Sequence, residues 1–162
     1  MIEQQLKLEE GCRHTPYYDT LGKLTIGIGH CLVTNPLSKS QIKKICGKAL
    51  SHDNAIEWLY THGISNDNAE WLLREDIKAT TEKLLAKYPW MQDMNQARFD
   101  AILSMAFQMG VGKIGHFKHM LKALEIGDYV EAGKQALDSR WAKQTPARAE
   151  RVSEQLRTGE YV

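Results

Sequence analysis

Two carboxylates near the start of the chain, Glu10 and Asp19, are the residues whose type and spacing best suit chemistry. They lie in LEEGCRHTPYYDTLGKLTIGIGH, residues 8 to 30, which also holds Glu9, a Gly-rich run and His30. Acidic residues near a helix end and a turn are usually just solvated. Glycosidic hydrolysis, however, requires two carboxyl groups on separate elements. One protonates the leaving oxygen as a neutral acid; the other stays ionised and activates water or stabilises positive charge. The Gly-rich run does not read as a phosphate cradle. GKLTIGIGH lacks GxGxxG, and the later GVGKIGH lacks the Walker spacing and the Ser/Thr after Lys. Glycines flanking strand residues more often mark a bulge or a close backbone approach, which matters if a sugar chain lies along this sheet.

Other candidates compete less well. His30 after a hairpin is more often a structural hydrogen-bonding or ion-pairing residue, with Asp76 as a plausible partner. Cys31 could be a nucleophile, but adjacent strand residues face opposite ways, so His30 would not serve it. His116 and His119, at i and i+3, lack a third metal ligand, so no metal and no cofactor are expected. Trp58, Trp71, Trp90, Trp141 and Phe107 could stack on sugar rings, although most read as core or lobe packing. TPARAERV alternates Arg with Ala and Glu, which reads as an amphipathic helix.

The positioning elements follow from local pattern. Residues 2–10 have helical spacing and end at Gly11, which puts Glu10 at the negative end of a helix dipole. An ionised acid is less comfortable there unless a cation helps. TPYYDTLGKLTIGIGH predicts a β-hairpin, widened to a small sheet by residues 31–33. A Pro-marked turn, a Ser cap and a helix follow within residues 34–50, and residues 53–60 add a helical turn or two. A helix capped by Ser65 and closed by Pro89 would span roughly 35 Å. Beyond it come helices over NQARFDAILSMAFQMG, GHFKHMLKALEIG, YVEAGKQALDSRWA and TPARAERVSEQLRTG, the last with Thr145 as N-cap and Pro146 at its first position.

The expected fold class is therefore α+β, mainly α. A small N-terminal β-hairpin lobe joins an all-α C-terminal lobe through a long helix, with a ligand cleft between the lobes. We read residues 1–162 as one domain. Its lobes cover roughly 12–64 and 90–162, residues 65–88 connect them, and helix 2–10 packs on the C-terminal lobe.

Composition narrows the class. With 43% hydrophobic and 25% charged residues, 162 residues can bury a core without staples. A net charge of +1 gives no support for nucleic-acid or membrane binding by charge alone. No apolar run approaches the roughly 20 residues of a membrane span, and MIEQQLKLEEG is no secretory signal. Cys12, Cys31 and Cys46 are odd in number and widely spaced, which reads as reduced thiols in a cytoplasmic product.

These motifs together resemble the phage-type lysozymes, the T-even phage lysozyme group of glycoside hydrolases. That signature is Glu-Gly, about eight residues, Asp-Thr, Gly, then Thr-Ile-Gly-Ile-Gly-His. This chain supplies Glu10-Gly11, Asp19-Thr20, Gly22 and Thr25 to His30. The resemblance resumes at Phe107–Gly110, at Ser139–Val152 and at RTG near the end. Residues 35–60 match poorly.

The resemblance implies a lysozyme-like fold and hydrolysis of the β-1,4 bond between N-acetylmuramic acid and N-acetylglucosamine in peptidoglycan. It makes Glu10 the general acid, Asp19 the carboxylate that positions water, and Thr25 the hydroxyl that helps hold it. Arg148 matches an arginine that supports the acid, and Phe107 matches a cleft residue. Gln135 stands where the group's type member has a different amide, so a substrate hydrogen bond there is a weaker implication. Cys31 and Met120 align with cleft positions but differ in type. An inverting route implies carboxyls roughly 6.5–9.5 Å apart. The group's type member is strongly basic, unlike this chain, so basic residues here are either fewer at the substrate or gathered on one face. The implied setting is a monomer in the host cytoplasm that needs a membrane-permeabilising partner to reach the wall. Two rivals stay open: an inactive or tail-associated peptidoglycan-binding module, and a chitin or chitosan hydrolase.

Overall fold

A computed structural model describes residues 1–162. Ten α-helices, a 3₁₀ turn and one three-stranded sheet make up the chain, an α+β architecture dominated by helix. It divides into two compact units, residues 3–76 and residues 1–2 with 77–162. Helices α1 (Ile2–Glu10) and α4 (Asn66–Lys87) each contribute residues to both units.

In the first unit the sheet runs β1 (Arg13–Tyr18), β2 (Leu24–Gly27), β3 (His30–Cys31), antiparallel throughout and in sequence order. Tyr17 pairs with Thr25, and Thr25 pairs in turn with Cys31. Directly paired residues project to the same face, so Tyr17, Thr25 and Cys31 form one row across the sheet. An irregularity in β1 between Arg13 and Tyr17 shifts the register. The third strand starts at His30, one residue before the expected span, and is shorter. After Cys31 the chain turns away, closed by the Asn35 N–H donating to the Cys31 carbonyl at 3.1 Å.

Helix α2 (Lys39–Cys46) begins in a capping box. The Gln41 N–H donates to Ser38 Oγ, and the Ser38 N–H donates to Gln41 Oε1. Helix α3 (His52–His62) has eleven residues, more than the expected turn or two. A Ser51 cap starts it, and Ala55 and Leu59, one turn apart, bury its apolar face. Ser65 accepts from the Asn68 N–H at the start of α4, as its type predicted. Gly27 shows why a glycine is needed in the sheet. Its φ is +65°, which side-chain-bearing residues rarely adopt, whereas an added Cβ would make only ordinary contact, 3.5 Å from Ala69 Cβ on α4. The neighbour at this glycine is the protein's own helix.

The second unit holds the larger core. After the 3₁₀ turn Pro89–Asp93, helix α5 (Gln96–Met109) is buried from Phe99 through Ala106. A helix buried on all sides must be surrounded by others. Five more helices follow, α6 (Val111–Ile114), α7 (Lys118–Ile126), α8 (Tyr129–Leu137), α9 (Arg140–Gln144) and α10 (Pro146–Thr158); they share one apolar core with α5, and α6 and α10 pack on it directly. Helix α10 packs on α5 and α8, and α8 packs on α7.

Two local expectations change here. The helix expected over residues 129–142 is two helices. Ser139 Oγ donates to the Ala136 carbonyl and accepts the Ala142 N–H, ending α8 and capping α9. Thr145 does precede α10, but its side chain does not cap it. The hydroxyl donates backwards to the Trp141 carbonyl at 3.0 Å.

Candidate active site

Glu10 is the final residue of α1 and is half-buried. Gly11 ends the helix with φ +66° and donates its N–H to the Lys7 carbonyl at 2.9 Å. The acid therefore stands at a fixed point where the chain leaves a helix for a strand.

Asp19 closes β1 and builds the hairpin turn with its own side chain. Oδ1 accepts the N–H groups of Leu21 at 2.9 Å and Lys23 at 2.8 Å. The Asp19 N–H donates to the Lys23 carbonyl, and Gly22, with φ +76°, donates to the Asp19 carbonyl. This is the aspartate-led turn that such side chains favour. Both bonds fall on Oδ1, so Oδ2 takes no part in the turn.

Thr25 lies on β2 and is almost wholly buried. Its hydroxyl donates to the Lys23 carbonyl at 2.9 Å, which leaves oxygen lone pairs as acceptors. Thr25 and Asp19 are thus linked through the backbone of Lys23, the residue both side chains bind.

From sequence, Tyr17 reads only as a strand residue. The structure places it opposite Thr25 and two residues before Asp19. The Arg13 guanidinium lies 4.7 Å from the centre of its ring. Burial, then the Glu10 charge, pushes the phenol pKa up. Arg13 opposes this and Asp19 adds to it. One tyrosine therefore senses both candidate carboxylates.

His30 and Asp76 meet as their types predicted. His30 Nδ1 lies 2.7 Å from Asp76 Oδ2, with side chains 1% and 9% exposed. Nε2 lies 2.8 Å from the Asn35 carbonyl. Both ring nitrogens face oxygen acceptors, so this histidine ties β3 to α4 rather than offering a free base.

Arg148, Phe107 and Gln135 belong to the second unit. Arg148 is 6% exposed on α10, and its NH2 donates to the carbonyl and hydroxyl of Ser104 at 2.9 and 3.1 Å. Phe107 is half-buried near the end of α5. Gln135 on α8 already donates its amide to Glu131 Oε1 at 2.7 Å, so its carbonyl oxygen is the more available group. Trp141 is core. Its ring meets Phe117 edge-on, and its N–H donates to Gln108. No cluster of three or more His, Cys, Asp or Glu could hold a metal ion, and no helix is long and apolar enough to cross a membrane.

Residues 7–157 match the phage lysozyme family model. The chain is 34% identical over 162 residues to the pre-baseplate central spike protein Gp5 of Enterobacteria phage T4. That alignment takes in 98% of this chain and 28% of the spike protein. It is 32% and 31% identical to probable T4-type lysozymes 1 and 2 of Dictyostelium discoideum, covering 98% of this chain and 94% of each relative. The chain belongs to the phage lysozyme family, a family of glycoside hydrolases.

Proposed function

We propose that this protein hydrolyses the β-1,4 bond between N-acetylmuramic acid and N-acetylglucosamine in bacterial peptidoglycan. The observation that carries this reading is the grouping of Glu10, Asp19 and Thr25 in one unit of a phage lysozyme family chain. Glu10 acts as general acid on the leaving oxygen. Asp19, held through Oδ1 by the turn, presents Oδ2 to the attacking water. Thr25 donates its one O–H to the Lys23 carbonyl, so it accepts a hydrogen bond from that water. Attack opposite to the leaving group inverts the anomeric centre, a route that asks for carboxyls roughly 6.5–9.5 Å apart. On the family resemblance, Arg148 supports the acid and Phe107 and Gln135 contact the glycan.

Turbidity of a peptidoglycan suspension tests this directly. The parent should clear it, and folded Glu10→Gln should not. Clearing by Glu10→Gln at near the parent rate would remove Glu10 from its role.

The biological setting admits two forms. A free lysis enzyme acts from the host cytoplasm once a separate protein permeabilises the membrane. The 34% identity to a phage spike protein favours a second form, a wall-cutting segment carried on a virus particle. Mass spectrometry of purified particles separates them, since only the second form travels with the particle.

A further inference from the structure

Tyr17 has a feature the catalytic assignment does not use. Its ring is half-buried and held under the Arg13 guanidinium, while its hydroxyl makes no hydrogen bond within the protein and is not a buried atom, so it is open to solvent. A bound ligand could therefore take the hydroxyl's hydrogen bond in place of water. Its Cβ lies about 4.5–5.5 Å from that of its cross-strand partner, which is Thr25. Thr25 is short and stays at the sheet surface, whereas the tyrosine side chain projects past it. A water held by Thr25 and Asp19 would sit low against the sheet. The Tyr17 hydroxyl would stand above that level, where it could meet a glycan bound over the sheet.

From this arrangement we infer that Tyr17 contacts the reacting sugar, its hydroxyl donating a hydrogen bond while its ring walls the water site beside Thr25. The inference rests on the assignment of Glu10, Asp19 and Thr25 to the active site. The local charges suit the role. Burial, Glu10 and Asp19 push the phenol pKa further up against the pull of Arg13, from an ordinary value that already leaves it a neutral donor at neutral pH. Arg13 supplies the other half of the device. Stacked on the ring, it limits the orientations the hydroxyl can take before the glycan arrives, which reduces the ordering cost of binding. Nearby Tyr18 offers a built-in comparison. It is the next residue on the same strand, it points to the opposite face, and it is 70% exposed.

Tyr17→Phe keeps the ring and removes the hydroxyl. With soluble peptidoglycan fragments as substrate, kcat/KM should fall about tenfold while Tm stays within about 1 °C of the parent. Tyr18→Phe should change neither quantity. In a Glu10→Gln background, which holds substrate without cutting it, Tyr17→Phe should weaken fragment binding measured by calorimetry. Tyr17→Phe activity within twofold of the parent would overturn the inference. So would an activity loss matched by a drop in Tm, because that is a folding effect. Glu10→Gln measured alongside separates the two levels. If it still cuts, the site assignment itself fails; if it is inactive and Tyr17→Phe is fully active, only Tyr17 is misplaced.

Discussion

Asp76→Asn should be among the most destabilising single-atom changes available in the first unit. The carboxylate is 9% exposed in its side chain, the His30 ring facing it is 1% exposed, and 2.7 Å separates Oδ2 from Nδ1. The second carboxylate oxygen is 3.4 Å from Asn35 Nδ2. Nε2 of the same ring faces the Asn35 carbonyl, so carboxylate, ring and loop form one connected set. Removing one partner of a buried pair costs roughly 3–5 kcal/mol, because the other is left uncompensated. Asparagine keeps an oxygen that can still accept from Nδ1, which places the expected loss near the lower end, about 3 kcal/mol. For a chain of this size each kcal/mol moves Tm by about 2–4 °C, so Tm should fall by about 6–12 °C. Urea denaturation should show a lower midpoint with little change in slope. His30→Asn alone should cost a similar amount. The double variant should be less damaged than the sum, with a coupling of about 1–3 kcal/mol. A Tm shift below about 2 °C, or strictly additive variants, would refute the reasoning that this pair holds β3 to α4.

Two further expectations concern the rest of the molecule. Tyr161 donates to Asp100 Oδ2, and burial, that bond and the Asp100 charge push its pKa well above the ordinary tyrosine value. A raised folded value means the stabilisation is full below the ordinary value near 10 and is lost as pH rises beyond it. Tyr161→Phe should cost about 1 kcal/mol at neutral pH and flatten the alkaline decline in Tm; an unchanged alkaline decline would contradict this. Asp19→Asn should keep the hairpin, because its amide oxygen can still accept the Leu21 and Lys23 N–H groups. Activity should nevertheless fall about 10²–10⁴-fold in a wall-clearing assay with an unchanged circular dichroism spectrum. Activity within tenfold of the parent would remove Asp19 from the mechanism.

Features governed by residue type and near neighbours could be read from the chain. Gly11 had to end α1, and it leaves Glu10 at the junction. The Asp19 to Lys23 turn follows from an aspartate that binds the backbone two and four residues on. That His30 needs an acceptor was legible from its type, but α4 carries Asp67, Glu70, Glu75, Asp76 and Glu82, and only packing selects Asp76, 46 positions away. Features set by competition between alternatives could not be read. Ser139 can extend a helix or break one, and only the Ala136 carbonyl and Ala142 N–H decide it. Thr145 looks like a cap, but the Trp141 carbonyl captures its hydroxyl. Gln135 gives no sign in the sequence that Glu131, one turn away, takes a hydrogen bond from its amide. Tyr17 was hidden for a further reason. Its place beside Thr25 depends on a register shift in β1 that no periodicity announces.

The central claim is that Glu10 and Asp19 cut the muramic acid side of the glycan bond. Its most direct test is mass analysis of the new reducing ends released from purified peptidoglycan by the parent and by Glu10→Gln. The account predicts reducing N-acetylmuramic acid ends from the parent and none above background from Glu10→Gln. Reducing N-acetylglucosamine ends, or equal release by the two proteins, would contradict it.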